Sequence, residues 1–339
     1  HPCDATRQTL MSDAVDLRWM AAALALASRG AGLSHPNPNV GCIIVRDGKV
    51  IGRGSTQAGG RPHAEAMALA QAGEGARGAI AYVTLEPCAH SSPRGPACAD
   101  VLIAAGLARI VVATSDPDPR TNGQGISRLR AAGVHVDVGP GEAEARAAMA
   151  GWWSRATRAR PFVTLKLATS LDGAIAMASG TSRWITGTRA RAHAHVLRAR
   201  CDAILVGRGT FDADTPRLDV RLPGLEARAP ARYVLTSRPF PDDAGGWTSV
   251  AAPLYVADHA AVQHLLVEGG AGAAAAFLAA GWVDRLIVYR APILIGGGRP
   301  CLGDIGLTTL ADAHGQWQLE DARQLGPDRL ETYERAPTT

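Results

Sequence analysis

The sequence has little lysine, few aromatic side chains and few cysteines, and each shortage excludes something. Of 35 basic residues only Lys49 and Lys166 are lysines, so a lysine inside a strand stands out against a background of arginine. Seven Trp, five Tyr and four Phe in 339 residues are too few for a base-stacking platform. The formal net charge of +4, from 35 basic and 31 acidic residues, is too balanced for a dedicated nucleic-acid or membrane-surface protein. Six cysteines, at 3, 42, 88, 98, 201 and 301, are too sparse for the disulfide framework of a small secreted domain, and a reduced, cytoplasmic chain is expected. No window approaches ~18 apolar residues without a charge, so no membrane-spanning helix is expected. The first residues also lack the basic and apolar regions of a signal peptide.

What is present is enough apolar material for two cores. Hydrophobic residues are 47% and charged residues 19% of the chain, and its length favours two domains at ~150 residues each. Met11 stands just before a helical pattern, so residues 1–11 read as a tail. Apolar positions at helical spacing over 13–29 stop at Gly30, and 41–54 reads as a hairpin turning at Asp47-Gly48. Helices over 63–72, 97–105 and 125–132 then alternate with strands over 81–85, 109–114 and 134–138, an α/β layered pattern. The Ala/Arg-rich stretch 141–160 closes at Pro161. It divides a domain over 12–150 from one over 161–339, with 151–160 as the link. The second half reads as strands from 162 and over 203–207, 231–236, 253–257, 264–270 and 285–295, with helices over 188–200 and 271–281. Only about six residues would join strands 253–257 and 264–270, too few for a parallel crossover of at least ~10–12, so residues omitted near 259–262 are expected.

The sharpest chemistry lies in Pro62-His63-Ala64-Glu65, then Glu86-Pro87-Cys88, then Cys98. One His and two Cys make a three-ligand set for Zn²⁺ that leaves the fourth tetrahedral position for water. The metal brings the pKa of that water toward ~7. Glu65, two residues from His63, is poorly spaced for a second ligand on one helical face. It is better placed as a proton carrier, the role of the Glu in the zinc-deaminase pattern H-x-E…P-C-x-x-C. A zinc-free buried His with two core Cys is the plain alternative, and Cys3, Cys42, Cys201 and Cys301 read as small core residues.

The runs HPNPNVG (35–41), HAE (63–65), TLEPCAH (84–90) and DPDPRTNGQGI (116–126) resemble the deaminase domain of the bacterial RibD family, bifunctional deaminase–reductases of riboflavin biosynthesis. The resemblance implies that Asn37 and His90 hold the pyrimidine and that His63, Cys88 and Cys98 hold zinc. Two departures fall in substrate loops: nine residues separate Cys88 from Cys98 where eight are commoner, and Ser55-Thr56-Gln57 replaces a Gly-Tyr-His run.

By itself the second half says less. No G-x-G-x-x-G follows a strand and no G-x-x-x-x-G-K-[ST] occurs. Gly269, Gly270 and Gly272 at a strand-to-helix turn offer backbone amides to an anion, or serve close packing. Lys166 either snorkels from a sheet edge or points into a polar site. The runs 162–187, 198–221 and 267–297 resemble the RibD reductase domain, which implies a dihydrofolate-reductase-like fold and NADPH. On that resemblance the fold class is α/β, two three-layer domains, cytidine-deaminase-like then dihydrofolate-reductase-like. It also implies that Lys166, Ser182, Arg198, Asp214, Leu218, Arg221 and Glu268 face the phosphorylated sugar, with Arg198 and Arg221 on its phosphate. Ala168, Trp184, Thr210, Ser237, Gly270, Ala271 and Gly272 would face NADPH. Phe211 and Thr215 depart from the family's T-V-x-A-D-[DN]-P run, while Asp214 is kept.

The expected function is zinc-dependent deamination of a diaminopyrimidinone ribosyl phosphate, then NADPH reduction of the ribosylamino product, with a small phosphorylated pyrimidine as partner and a homodimer as the family's habit. The rivals are a tRNA or nucleotide deaminase with an accessory domain, a form with a decayed reductase, and a zinc-stabilised binding module. The last requires a fourth protein ligand, with Cys42 or His90 the candidates.

Overall fold

A computed structural model of the chain describes residues 2–241 and 245–336. The chain divides into two compact units, His1–Arg158 and Ala159–Thr339. The first begins with α1 (Pro2–Ala27), so the stretch read as a tail continues the helix expected from residue 13, with residue 1 outside the described residues. There follow β1 (Gly41–Arg46), β2 (Lys49–Ser55), α2 (Ala64–Ala72), β3 (Ile80–Val83), α3 (Cys98–Ala104), β4 (Arg109–Val112), α4 (Gln124–Ala131), β5 (His135–Val138), α5 (Glu142–Ala148) and α6 (Ala150–Arg158). The sheet order is β2-β1-β3-β4-β5, antiparallel across the hairpin and parallel from β3 onward.

The hairpin glycines decide where the helices lie. Cys42 stands opposite Gly54 and Ile44 opposite Gly52 in the β1–β2 register, so both glycines share one face. A Cβ on Gly54 would come 2.2 Å from the Ala64 carbonyl oxygen, so α2 rests directly on that face. A Cβ on Gly41, on the other face, would come 1.9 Å from the Ala23 carbonyl oxygen of α1. Helices therefore cover both faces of one sheet whose core includes Ile43, Tyr82, Leu102, Ile110 and Leu129. The stretch 151–160 read as a link is helical through Arg158, and Trp152 and Trp153 pack on this first core.

The second unit runs β6 (Phe162–Thr169), β7 (Ala174–Ala176), α7 (Thr188–Arg198), β8 (Ala203–Gly207), α8 (Arg208–Asp214), β9 (Ala231–Leu235), β10 (Trp247–Val250), β11 (His264–Val267), α9 (Ala271–Ala279), β12 (Arg285–Arg290), β13 (Arg299–Pro300), β14 (Trp317–Leu325) and β15 (Asp328–Arg335). Its sheet order is β10-β9-β8-β11-β6-β12-β15-β14, parallel as far as β12 and antiparallel beyond it. α9 covers one face through Ala274 and Phe277, among Val163, Leu165, Leu205 and Val267. α7 covers the other through Ala190 and Ala194, against Ile287 and Tyr289.

The strand expected over 253–257 is not one. Pro253–Asp258 form a 3-10 helix, and the strand before β11 is β10, which the sequence reading missed. Residues 251–263 then connect β10 to β11, enough for a parallel crossover. Within that join the Val262 amide donates to the His259 carbonyl at 2.9 Å. The join over 251–263 is therefore longer than the six residues expected. The misreading has a simple cause: an apolar run of five residues has no period long enough to separate a strand from a helical turn. The β14–β15 hairpin also went unread, because β14, exposed along its length, has no buried face to give it an alternating pattern.

Candidate active sites

In the first unit two helix starts and one loop converge. His63 caps α2, Glu65 is in its first turn, Cys98 opens α3, and Cys88 sits on the loop before it. The His63 Nδ1 lies 3.2 Å from Cys98 Sγ and 3.7 Å from Cys88 Sγ. The edges of a tetrahedron around Zn²⁺ with such ligands measure roughly 3.4–3.8 Å, so the donor set fits the metal. The loop closes at its base despite its ninth residue, because the Cys98 amide donates to Cys88 Sγ at 3.3 Å. The Cys98 thiol, His63 and that amide together hold the Cys88 thiol far below its ordinary range, against the opposing effect of burial. Among the described residues no fourth His, Cys, Asp or Glu joins this group, and neither Cys42 nor His90 approaches it as a ligand.

Around the group is a cavity of about 320 Å³ lined by Asn37, Thr56, His63, Glu65, His90 and Trp152 among others. Glu65 is buried, and burial raises its carboxyl above the usual range. The Asn37 amide lies 2.7 Å from His63 Nε2, the ring nitrogen that faces away from the thiols. The amide atom nearest that nitrogen is Nδ2; with Nδ1 on a metal, Nε2 would carry the proton and the Asn37 amide would turn its oxygen to accept it, which would fix the ring. Asn37 thus reaches both the cavity and the histidine. Thr56, part of the loop that departs from the family pattern, accepts a hydrogen bond from the Val40 amide at 2.9 Å. His90 lines the cavity with its Nδ1 3.4 Å from the Thr121 hydroxyl.

The sequence reading missed several residues here. Glu86 is buried and accepts from the Asp116, Gly123 and Ile126 amides at 3.0, 2.9 and 3.1 Å, pinning the 116–126 loop to the strand end beside Cys88. Its one signal was a carboxylate inside an otherwise apolar strand end. Asp116 lines the cavity, pushed up to about 7 chiefly by burial and further by Asp118, Glu86 and Cys88. Arg61, Arg94 and Arg120 also line it. Arg120 is paired with Asp118, whereas among the described residues Arg61 and Arg94 meet only neutral acceptors, at Ser92, Pro96 and Gly59.

In the second unit the parallel register assembles the site. β6 lies between β11 and β12, so Lys166 is on an interior strand and cannot snorkel from an edge. Leu266 stands opposite Thr164, and two steps on Glu268 comes opposite Lys166 on the same face. The Lys166 Nζ lies 3.7 Å from Glu268 Oε2. Arg198, the last residue of α7, grips the same carboxylate with Nε and Nη2, both at 2.8 Å, and its Nη1 donates to the Asp219 carbonyl at 3.0 Å. Burial opposes the Glu268 charge, but Lys166 and Arg198 outweigh it and hold the carboxyl down to about 2.

These groups open onto a cleft of about 780 Å³ at the carboxyl ends of β6, β8 and β11, where ligands of open parallel sheets bind. Lys166, Ala168, Ser182, Thr210, Asp214, Glu268, Gly270, Ala271 and Gly272 line it together. Asp214 lies 3.7 Å from the exposed Arg183. The other expected residues lie outside the lining. The Arg198 guanidinium is 13% exposed and occupied by Glu268, not open to a phosphate. Arg221 is an exposed partner of Asp219, Leu218 is packed in a core, and Trp184 and Ser237 are on the surface. The glycine turn divides its labour. A Cβ on Gly269 would lie 2.6 Å from the Ala273 Cβ, so Gly269 serves close packing, while Gly272 faces open space. Gly207 and Gly270 cap α8 and α9, and both helix starts line the cleft, a fit for the phosphates of a dinucleotide.

Comparison with known proteins agrees with both sites. Residues 13–114 match the model of the cytidine and deoxycytidylate deaminase zinc-binding region. Residues 161–263 and 257–330 match the RibD C-terminal domain in two pieces, which meet at the join spanned by the 3-10 helix. The riboflavin biosynthesis protein RibD of Escherichia coli is 41% identical over 359 positions, covering 92% of this chain and 97% of its own. As the alignment is longer than this chain's 339 residues, that relative carries residues this chain lacks. RibD of Aquifex aeolicus is 38% identical, covering 88% and 93%. The solved structure of Acinetobacter baumannii RibD superposes with a TM-score of 0.86 at 36% identity, over 96% of this chain and all of that one. A deaminase/reductase from Thermotoga maritima gives 0.85 at 29% over the same shares. With two family models matched in order and close relatives covered nearly end to end, the chain belongs to the RibD family.

Proposed function

We propose that the chain catalyses two successive steps of riboflavin biosynthesis. The first unit hydrolyses the amino group from diaminohydroxyphosphoribosylaminopyrimidine. The second reduces 5-amino-6-(5-phosphoribosylamino)uracil to its ribitylamino form. The observation that carries this reading is the pairing, in one RibD chain, of an open three-ligand metal group beside a buried carboxylate with a Lys–Glu cleft walled by glycine.

In the first site His63, Cys88 and Cys98 hold Zn²⁺, which when bound acidifies water and makes it nucleophilic. Glu65 takes one proton from the attacking water and gives it to the ring nitrogen, then takes the second from the resulting hydroxyl and gives it to the amino group, which departs as ammonia. Its raised pKa suits both halves of that traffic. Asn37 orients His63 and meets the pyrimidine with His90. Arg61 and Arg94, uncompensated by carboxylates, meet the phosphate.

In the second site Thr210, the Gly270–Gly272 turn and Ala168 would hold NADPH, which would supply a hydride when bound. Lys166 and Glu268 bind and polarise the opened ribose, with Ser182 and Asp214 along the sugar. Arg198 is a positioning residue that keeps Glu268 charged and aimed at Lys166. The small phosphorylated pyrimidine is thus met in both units. A cytoplasmic location belongs to this reading, supported by five unpaired cysteines among the described residues.

The test is one reaction mixture of purified chain, zinc, NADPH and the diamino substrate, with ammonia release and NADPH oxidation followed together. Both are expected in the wild type, and Lys166→Ala should lose roughly a hundredfold in NADPH oxidation at unchanged ammonia release. Ammonia release without NADPH oxidation in the wild type would refute the second half of the reading.

A further inference from the structure

The second unit's cleft poses a question of charge, which rests on the reading above. Both ligands of the reduction carry a phosphomonoester, the 5′-phosphate of the sugar and the 2′-phosphate of the cofactor. Such a dianion calls for a fork of N–H donors with net positive charge. The cations already considered are committed. Lys166 and Arg198 share Glu268. Arg208, on the lining, is held by Asp212 at 2.6 Å and by the Pro239 carbonyl at 3.2 Å. Arg221 is outside the cleft and pairs with Asp219.

Arg299 is different. It lies on β13, which pairs with β7 through Arg299 and Ala176, and it lines the cleft with Ile175, Ala176, Gly180 and Ser182. Among the described residues no carboxylate and no hydrogen-bond acceptor engages its guanidinium. It is exposed, and one side of it lies against the chain. The Arg299 Nη2 lies 3.0 Å from where a Cβ on Gly180 would stand, so the guanidinium rests against the turn after β7. The starts of α8 and α9, on the same lining, bring Arg208 to the cleft as their one charged side chain among the described residues, and Asp212 holds it. We infer that Arg299 is the phosphomonoester ligand of the reductase cleft.

The experiment compares wild type, Arg299→Gln and Arg299→Lys. Dissociation constants for NADPH and for NADH, which lacks the 2′-phosphate, are read from nicotinamide fluorescence. The affinity for the phosphorylated pyrimidine is read by calorimetry, and its KM in the coupled assay. Loss of a charge-assisted contact should weaken the phosphate-bearing ligand about tenfold to a hundredfold in Arg299→Gln, and less in Arg299→Lys, which keeps the charge but not the fork. If NADPH weakens and NADH does not, Arg299 holds the 2′-phosphate. If the pyrimidine weakens and neither nucleotide does, it holds the 5′-phosphate. Unchanged affinity for all three ligands in Arg299→Gln, with ammonia release intact as the check on folding, would overturn the inference. A wild-type chain that neither binds NADPH nor reduces the pyrimidine would overturn the reading beneath it instead.

Discussion

In the first unit, His63 and Glu65 are two residues apart at one helix start, and Cys88 and Cys98 close a single loop. In the second, Lys166, Arg198 and Glu268 come from β6, the end of α7 and the turn after β11. The two sites also meet burial in opposite ways. Glu65 is buried beside two thiols and its carboxyl is raised, which suits a group that must take and give a proton. Glu268 is buried between two cations and its carboxyl is depressed, which suits a fixed charge that never titrates at working pH. The same residue type is thus raised toward proton exchange in one unit and held as a fixed charge in the other, and the neighbours decide which.

The largest effect should come from breaking the first half of that contrast. Glu65→Gln is expected to cut ammonia release by about 10²–10⁴-fold while zinc content, read by metal analysis, and NADPH oxidation stay as in the wild type. Unimpaired release would remove the proton-carrier role.

Next is the second half. Arg198→Ala leaves Glu268 buried with Lys166 alone, and the cost should be about 3–5 kcal/mol to the reductase unit's unfolding transition. The pH dependence has a definite sign. Because the folded Glu268 carboxyl sits at about 2, below its ordinary 4.5, its ionisation stabilises the fold above pH ~4.5, by roughly 3 kcal/mol. That stabilisation is lost as pH falls through about 2. In Arg198→Ala the carboxyl titrates higher, so acid unfolding should begin at higher pH. An unshifted acid transition would mean that Arg198 does not govern the Glu268 charge.

The smallest effect separates packing from ligand contact within one turn. Gly269→Ala must displace Ala273 and should cost about 1–3 kcal/mol in thermal unfolding. Gly272→Ala meets nothing within 4 Å and should leave stability within about 0.5 kcal/mol, with a change, if any, in NADPH affinity. Equal destabilisation by both would erase the distinction.

How much of each site could be read beforehand follows from the same contrast. His63, Glu65, Cys88 and Cys98 were legible because metal ligation restricts the residue types and a helix start and a short loop restrict the spacing. Glu86 was not, since three loop amides converging on one carboxylate is a fact of chain path, and a carboxylate at an apolar strand end does not name its partners. Lys166 drew notice through the rarity of lysine, yet its two readings stayed open until β6 proved to be an interior strand. The family resemblance implies a phosphate for Arg198, a lone arginine carries no mark of its partner, and only the fold shows Glu268 in its grip. Arg299 is the converse, an arginine whose lack of a partner is visible only once its neighbours are in place.

By itself, then, the sequence determined the two-unit plan, the alternation of strands and helices in each unit, and the metal group, since all three depend on local period, composition or ligand chemistry. The tertiary structure alone decided that residues 253–258 turn as a helix and that Glu268 meets Lys166 across a parallel register. It also decided which of many arginines are already paired. Charge pairing and strand register are long-range contacts, and no stretch of neighbouring residues specifies them. The scarcity of lysine made Lys166 conspicuous, but its place between β11 and β12 is what aims it into the cleft.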